Sequence, residues 1–248
     1  MKKLLGVIAV LFGLFSLGSC SNQSKLKQAM TYEQFMEAEA GDEVTIEGFI
    51  AAKQSWWNDQ VTLYLLTETS GEGYFVYNMA CTEDENNNVY KIGTYVHIEA
   101  SAKTVYAGEH EIMGDDITKV EVIDAGDKTM NTTPIDVSNK LTSLEQYQNS
   151  YFKATLTVVE YETTDQNVVV DSSNAFGYKG STPTDDLYFT ISDGTTELAC
   201  CVEAYLTGSE TAVHQTVQTL SVGDEVTVEG YLYWWNGANP HITSIVIK

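Results

Sequence analysis

From about residue 43 onwards, the chain is built mainly of short segments in which apolar and polar residues alternate. Val44 and Ile46, for example, are separated and followed by polar residues, and this period of two is typical of a strand with one buried face. Such segments lie at about 43–54, 60–68, 73–81, 94–106 and 109–123, and again at about 151–162, 186–192, 195–207, 224–235 and 240–247. The pattern therefore predicts a β-rich protein with five strands in each half.

Helix signals precede the first strand of each half. The four-residue segments that begin at Thr31 and Ser143 both have the S/T-x-x-E/Q spacing of a capping box, which marks a helix start. A further helix is predicted within 209–222, where apolar residues recur at helical spacing. The corresponding segment of the first half, 82–92, is long enough only for a loop or one helical turn.

The two halves are related by an internal repeat. Their helix starts and first strands lie 112 residues apart, whereas their fourth strands lie 130 residues apart. The additional residues of the second half fit into 165–186, whose Ser, Asn, Gly and Thr content is typical of a loop. Five strands with a helix between the third and fourth is the order of the OB-fold, a small Greek-key barrel. We therefore predict an all-β protein with short helices, built as two tandem five-stranded OB-fold barrels over 30–124 and 142–248, with a linker over 125–141.

The N-terminal residues have the pattern of a bacterial export signal. Two lysines precede an apolar run over 4–17, and a Leu-Gly-Ser sequence ahead of Cys20 matches the lipobox of lipoproteins. The run is shorter than the roughly 20 residues that a membrane-spanning helix needs, although a short anchor with an incidental Cys is the alternative. We expect a signal peptide over 1–19 and a tether over 20–29. Two or three acyl chains on Cys20 would anchor the chain stably to the membrane.

The charge balance narrows the range of partners. The chain has 13 basic residues, all of them Lys, against 35 Asp and Glu, which gives a formal net charge of −22. Such a surface repels polyanions and suits uncharged or cationic partners, although solubility alone also explains it. Because sites for single-stranded nucleic acid combine aromatic rings with a cationic track, nucleic acid is expected to be an unlikely partner.

Cysteine usage gives no sign of a disulfide framework. Beyond Cys20 the chain contains only Cys81, Cys200 and Cys201, and three thiols cannot all pair. Cys200 and Cys201 should point to opposite faces of a strand. We expect all three to be free, buried thiols.

No catalytic motif is present. The four histidines, at positions 97, 110, 214 and 241, stand in no H-E-x-x-H arrangement, and no G-x-S-x-G elbow or phosphate loop occurs. The acidic runs 83–88 and 109–116 carry oxygen ligands, but the first lacks the spacing and the glycine of a calcium-binding EF-hand loop. We expect these runs to be solvated loops, and we predict no enzymatic activity, no metal and no cofactor.

Candidate ligand-binding residues lie where OB barrels bind their ligands, on the face of strands two and three and in the loops after strands one and four. One tryptophan pair follows strand one of the first half, and a second pair follows strand four of the second half. Because neighbouring residues of a strand point to opposite faces, one ring of each pair can pack inward while the other is free to stack on a sugar, a base or a cation. The alternative is that both rings cover the core. The candidates are Trp56, Trp57, Tyr64, Tyr74, Tyr77, Trp234, Trp235, Asn236 and His241.

The segments around these aromatics resemble a known group of proteins. The sequences Ala-Lys-Gln-Ser-Trp-Trp-Asn at 52–58, Tyr-Phe-Val-Tyr-Asn-Met-Ala-Cys at 74–81 and Gly-Tyr-Leu-Tyr-Trp-Trp-Asn-Gly at 230–237 resemble OB-fold repeats of uncharacterised exported lipoproteins of gut bacteria, of the Bacteroidetes type. The resemblance covers about 30–248, but in the second half it rests on the last 26 residues. It implies a lipoprotein of the cell envelope, at the outer membrane and facing either the periplasm or the exterior. It implies no functional residues, because the group has no established activity.

From these sequence features we rank three hypotheses about the function of the protein. The first is a non-catalytic binding or scaffolding lipoprotein that recognises a glycan, a peptide or a protein. The second is a single-stranded nucleic-acid-binding protein, which the fold suggests but the charge disfavours. The third is an enzyme, for which no constellation of residues is visible.

Overall fold

The computed structural model describes residues 26–248. The predicted signal peptide over 1–19 and Cys20 lie outside the described residues. Within 26–248, no helix is long and apolar enough to cross a membrane.

The first half forms one seven-stranded sheet with the strand order of a Greek-key barrel. Its elements are α1 (Tyr32–Glu37), β1 (Val44–Lys53), β2 (Gln60–Leu66), β3 (Gly73–Ala80), α2 (Glu83–Asn88), β4 (Tyr95–Ala100), β5 (Thr104–Tyr106), β6 (Glu109–Met113) and β7 (Ile117–Val122). Strand β1 pairs antiparallel with β2 and β4, and β2 pairs antiparallel with β3. The fifth strand of the barrel is divided in two, because β6 pairs parallel with β3 and β7 pairs antiparallel with β4.

The fifth strand is divided at Gly114, where the chain passes close to β3. The backbone there passes so close to the Asn78 carbonyl that no Cβ would fit. A short 3₁₀ turn over Gly114–Asp116 then redirects the chain, and β7 continues along β4. The continuous strand that the alternation predicts over 109–123 is therefore two strands that belong to opposite edges of the same barrel.

Helix α1 closes one end of this barrel. Thr31 forms the predicted capping box with Gln34, and Phe35 is fully buried against the edge of the Tyr74 ring, with 5.1 Å between centroids. The buried Lys103 ammonium donates hydrogen bonds to the carbonyls of Phe35, Met36 and Ala38 at 2.6–3.1 Å. These carbonyls have no partner within the helix, so a cation at this end satisfies them.

The second half forms a closed ring of five longer strands with three short additions. Its elements are β8 (Ile135–Asp136), β9 (Tyr151–Val159), β10 (Val168–Val170), β11 (Gly177–Lys179), β12 (Leu187–Ser192), β13 (Glu197–Val202), α3 (Ala204–Thr207), α4 (Ala212–Val217), β14 (Glu225–Tyr231) and β15 (His241–Ile247). The ring runs β9–β12–β13–β15–β14 and returns to β9, with β13 and β15 parallel. Strands β10 and β11 extend the sheet from the long loop, and β8 pairs with β9. Both halves thus have the strand order of the OB-fold, and the all-β prediction is confirmed.

Two of the helix predictions need correction. No capping box forms at Ser143, because 141–143 and 145–147 are 3₁₀ turns without side-chain caps. The residues that follow, 148–150, are buried against the first barrel, so the chain has no room to continue a helix before β9. In the first half, 82–92 contains the capped helix α2. The helix predicted within 209–222 is confirmed as α4.

The three described thiols are buried and unpaired, as predicted. Cys200 lies in the core of the second barrel, whereas Cys201, its neighbour on β13, is buried outside that core. Burial in apolar surroundings raises the pKa of the Cys81 thiol to about 11. A thiol in this state is a weak nucleophile, so the three cysteines have a packing role.

Candidate functional site

The outer face of β2 and β3, where OB barrels bind ligands, is covered by the second barrel. Tyr64, Leu66 and Phe75 from this face form one buried cluster with Tyr231 of the second barrel. The Tyr64 hydroxyl shares a hydrogen bond of 2.6 Å with the His241 Nδ1 atom. The face that the sequence analysis assigned to a ligand is therefore an intramolecular interface.

Three of the predicted ligand-binding residues are buried, two of them in this interface and one in a barrel core. Tyr64 and His241 are buried in the interface between the barrels. Tyr74 is buried in the core of the first barrel, because the alternation along β3 turns it inward while its neighbour Phe75 turns outward. The prediction that Tyr74 lies on the ligand face is wrong.

Each tryptophan pair has one ring directed inward and one directed outward, as the alternation predicts. The half-buried Trp56 donates its indole N–H to the Cys81 carbonyl at 2.9 Å, whereas Trp57 is 73% exposed. In the second pair, Trp234 packs against the core of its own barrel, and Trp235 is 49% exposed. The outward rings are therefore free to contact a ligand.

An open groove of about 630 Å³ lies where the two barrels meet beside Trp235. The first barrel contributes residues from β3, β5 and β6, and the second barrel contributes residues from the segment that follows β14. The lining residues, which define the junction groove, are Tyr77, Thr104, Tyr106, Glu111, Met113, Tyr233 and Trp235. The Tyr106 and Trp235 rings approach edge to face, with 5.4 Å between centroids, so one wall of the groove is formed by rings from both barrels.

The acidic residues of β6 have different partners. Glu109 is fully buried and accepts hydrogen bonds from the Asn149 side chain at 2.6 Å and from the Trp234 backbone N–H at 2.8 Å. Glu111 is only 4% exposed, and no residue within 26–248 donates a hydrogen bond to its carboxylate. Burial alone raises the pKa of Glu111 to about 7. Glu109 therefore joins the barrels, while Glu111 faces the groove without a partner.

A second, more polar groove of about 380 Å³ adjoins the first, because Tyr77 lines both. Its lining includes the exposed rings of Trp57 and Tyr205 together with amide and carboxylate side chains. Gln54 donates to both oxygens of the Glu203 carboxylate at 2.8 Å, and burial raises the pKa of Glu203 to about 7. This arrangement extends the aromatic surface of the junction groove with groups that form hydrogen bonds.

The segment that carries Trp235 is held against the first barrel through backbone contacts. The backbone N–H of Asn236 donates to the Ala107 carbonyl at 2.7 Å. Trp234 packs so closely over Gly108 that an added Cβ would lie 2.8 Å from its ring, and Gly108 has a φ of +90°, which suits glycine. Asn236 thus positions the groove wall through its backbone, and its side chain is exposed.

Five of the seven residues that line the junction groove were absent from the sequence-based candidates, namely Thr104, Tyr106, Glu111, Met113 and Tyr233. In the sequence analysis Glu111 is only one acid of a possible calcium-binding run, Tyr106 is the last residue of a predicted strand, and Tyr233 is the neighbour of a tryptophan pair. Within residues 26–248, no group of three His, Cys, Asp or Glu side chains is placed to hold a metal ion. The alternation in the sequence could have added Tyr233 to the candidates, because residues 233 and 235 are two apart and fall on the same side of their segment as the exposed tryptophan.

Comparisons with known proteins give structural similarity only. No protein-family model matches the chain, and no curated protein matches it. Among solved structures, the HINb domain of p204 is 12% identical and covers 84% of this chain and 98% of its own, with a TM-score of 0.34. The HINa domain of Ifi202 in complex with a 20-base-pair double-stranded DNA is 12% identical and covers 85% and 97%, with a TM-score of 0.32. The asparaginyl-tRNA synthetase of Pyrococcus horikoshii is 14% identical and covers 47% and 23%, with a TM-score of 0.29. At these scores the similarities carry no argument about what this chain binds.

Proposed function

We propose that this chain is a non-catalytic binding lipoprotein of the bacterial cell envelope, anchored through Cys20, that takes an uncharged or cationic ligand in the junction groove. The observation that carries the proposal is the convergence of aromatic rings from both barrels on one open groove, with Trp235 at its exposed edge. Concave sites with aromatic walls and a few polar groups are the usual form of small-ligand sites. Aromatic faces stack on sugar rings and attract cations.

The charges around the grooves support an uncharged or cationic ligand over a nucleic acid. Glu111 lines the junction groove, and Asp186 and Glu203 line the polar groove. Among the described residues that line either groove there is no lysine. Binding of nucleic acids depends largely on cationic side chains that neutralise phosphates, and this surface offers the opposite charge.

The size of the combined surface favours a ligand longer than a single sugar or amino acid. Exposed rings occur at Trp235 in one groove and at Trp57 in the other, with Tyr77 between them. Oligosaccharides and extended peptides offer several groups in a row to such a surface. The proposal therefore includes glycan, peptide and protein ligands, which the surface would bind without changing them chemically.

The test uses the soluble fragment from residue 21 to residue 248, screened against a glycan array, a peptide panel and single-stranded and double-stranded oligonucleotides. At least one glycan or peptide should bind and quench tryptophan fluorescence, whereas oligonucleotides should not. Trp235→Ala should abolish that binding, and Trp57→Ala should weaken it for ligands that reach the polar groove. As a matched control, Val246→Ala changes an exposed side chain that does not line either groove and should leave binding unchanged. Preferential binding of oligonucleotides, or no binding to any member of the panel, would overturn the proposal.

A further inference from the structure

We infer that the junction groove is a site for an organic ammonium group, with Glu111 as its counter-charge and aromatic rings as its walls. The inference rests on the proposed function and names the class of ligand that the same groove takes. It depends on three features of the groove: the arrangement of its rings, the unpartnered carboxylate and the absence of a competing protein cation among the lining residues.

The rings are arranged as a partial enclosure rather than as a flat surface. Buried Phe75 supports two of them from behind, since its ring centroid lies 6.2 Å from that of Tyr77 and 5.1 Å from that of Tyr233. Tyr106 and Trp235 meet edge to face at 5.4 Å, and this contact closes another side. A cation within about 6 Å of an aromatic face is attracted by the ring's electrons, most strongly for an indole. An ammonium group in the groove would be within reach of more than one such face.

The Glu111 carboxylate supplies the negative charge. A buried carboxylate without a partner is energetically costly, so it either takes up a proton or acquires a cation. Burial raises the pKa of Glu111 to about 7, so the free protein holds a proton on this carboxyl more readily than an exposed glutamate does. An ammonium ligand would stabilise the ionised form, whereas an uncharged ligand would bury the carboxylate further without compensation.

The groups around Glu111 strengthen the preference for a cation. Glu109 lies on the same strand and its carboxylate interacts unfavourably with that of Glu111, while the phenols of Tyr77 and Tyr233 face it from the neighbouring elements. Lys103, which precedes β5, is engaged with the carbonyls of α1. No protein cation among the lining residues therefore competes with the ligand for Glu111.

The walls also distinguish an organic cation from a metal ion. Metal ions such as Ca²⁺ need six to eight oxygen ligands, whereas the junction groove offers one carboxylate, one threonine and otherwise aromatic and thioether groups. A weakly hydrated alkylammonium group gains from contact with rings, and a metal ion would lose its hydration shell without replacement. The chemistry of the lining thus fits an amine or a quaternary ammonium group.

The probes are choline, its uncharged isostere 3,3-dimethylbutanol, and butylammonium, titrated into the same soluble fragment at pH 8 with tryptophan fluorescence and calorimetry as readouts. We expect choline to bind about tenfold or more tightly than the isostere, a difference that corresponds to the charge interaction. Butylammonium distinguishes a primary amine, as in a lysine side chain, from a quaternary head group. Tighter binding of either cation than of the isostere supports the inference.

Substitutions then assign the effect to the groove. Glu111→Gln should remove the preference for cations over the isostere, and Trp235→Leu should weaken binding of both cations while leaving the fold intact, because its side chain is half exposed. Glu197→Gln removes an exposed carboxylate on β13 and should change nothing. In the unmodified chain, cation affinity should fall towards that of the isostere, by about tenfold or more in total, as Glu111 takes up a proton below pH 7, and this dependence should be absent in Glu111→Gln.

The outcomes separate the inference from the proposed function. Equal affinity for choline, butylammonium and the isostere, or a cation preference that survives Glu111→Gln, would overturn the inference while leaving a neutral ligand as the proposed function. If no cation binds but a glycan or peptide of the panel is lost in Trp235→Ala, the inference is likewise wrong and the proposed function stands. If neither the probes nor the panel bind, both are wrong.

Discussion

The hydrogen bond between Tyr64 and His241 offers a direct test of how the two barrels are coupled. The Tyr64 ring is fully buried, with centroids 4.7 Å from Tyr231 and 5.0 Å from Phe75, and its hydroxyl lies 2.6 Å from the His241 Nδ1 atom. Replacement of Tyr64 by Phe keeps the ring and its contacts and removes one oxygen. Any loss of stability therefore measures the polar contact across the interface.

The expected loss of stability depends on the hydrogen-bond partners that His241 keeps in Tyr64→Phe. Removal of one partner of a buried hydrogen bond costs about 1–3 kcal/mol, because the other group is left unsatisfied. Burial lowers the pKa of His241 to about 3, so the ring is neutral at pH 7 and the bond joins two neutral groups. A Glu203 carboxylate oxygen at 3.5 Å from Nδ1 gives partial compensation. We therefore expect Tyr64→Phe to lower the free energy of unfolding by about 1–2 kcal/mol.

Urea denaturation at pH 7, followed by tryptophan fluorescence and far-ultraviolet circular dichroism, measures this change. The matched control is Tyr205→Phe, whose ring is 59% exposed and whose effect should stay within about 0.5 kcal/mol. Because each barrel has its own hydrophobic core, we expect residues 30–124 and 142–248 each to fold alone, which gives a second control. In the isolated fragment 30–124, His241 is absent, so Tyr64→Phe should have no effect. A loss equal to that of Tyr205→Phe in the full chain, or an equal loss in the fragment, would refute the coupling.

Three further predictions concern an exposed tryptophan, the groove carboxylate and the lipid anchor. Trp57→Ala should change the free energy of unfolding by less than about 0.5 kcal/mol, whereas Trp56→Ala removes core contacts and a hydrogen bond and should cost about 2–3 kcal/mol; equal losses in urea melts would show that both rings are structural. Burial raises the pKa of Glu111 from 4.5, the ordinary value of a glutamate, to about 7 in the folded chain, so the folded state binds more protons between these values and stability falls as the pH rises through them. The free energy of unfolding of Glu111→Gln, taken relative to that of the unmodified chain, should therefore be about 1–3 kcal/mol higher at about pH 8 than at about pH 4.5. Urea melts at both pH values that show no such increase would contradict this. Cys20→Ala should abolish metabolic labelling with an alkyne fatty acid, and equal labelling would contradict lipidation.

Much of the fold was predictable because local patterns decide it. The period-two alternation places Val44 and Ile46 in the core, and the capping box at Thr31 starts α1. The internal repeat, which gave the order of the strands, needed no tertiary information. The errors occurred where contacts with distant residues matter, as at Gly114, which lies against the Asn78 backbone at the point where β6 ends.

The candidate site was predictable only in part, because the alternation specifies a face but not what covers it. It correctly separates Trp56 from Trp57 and Trp234 from Trp235. The assignment of Tyr64 to a ligand surface assumed a free barrel, whereas the second barrel covers that face. Glu111 could not be singled out, since its importance arises from burial and a missing partner rather than from its place in an acidic run.

The covered face explains why the candidate site lies where it does. With the outer surface of β2 and β3 buried against the second barrel, the accessible part of that surface is its edge, where Tyr77 emerges beside the contact. The second barrel adds Tyr233 and Trp235 at this edge, and the Asn236 and Glu109 contacts hold that segment in register with the first barrel. Neither barrel alone has the complete wall of rings. The groove is therefore a property of the paired barrels, and changes that loosen the interface should weaken ligand binding even when no groove residue is altered.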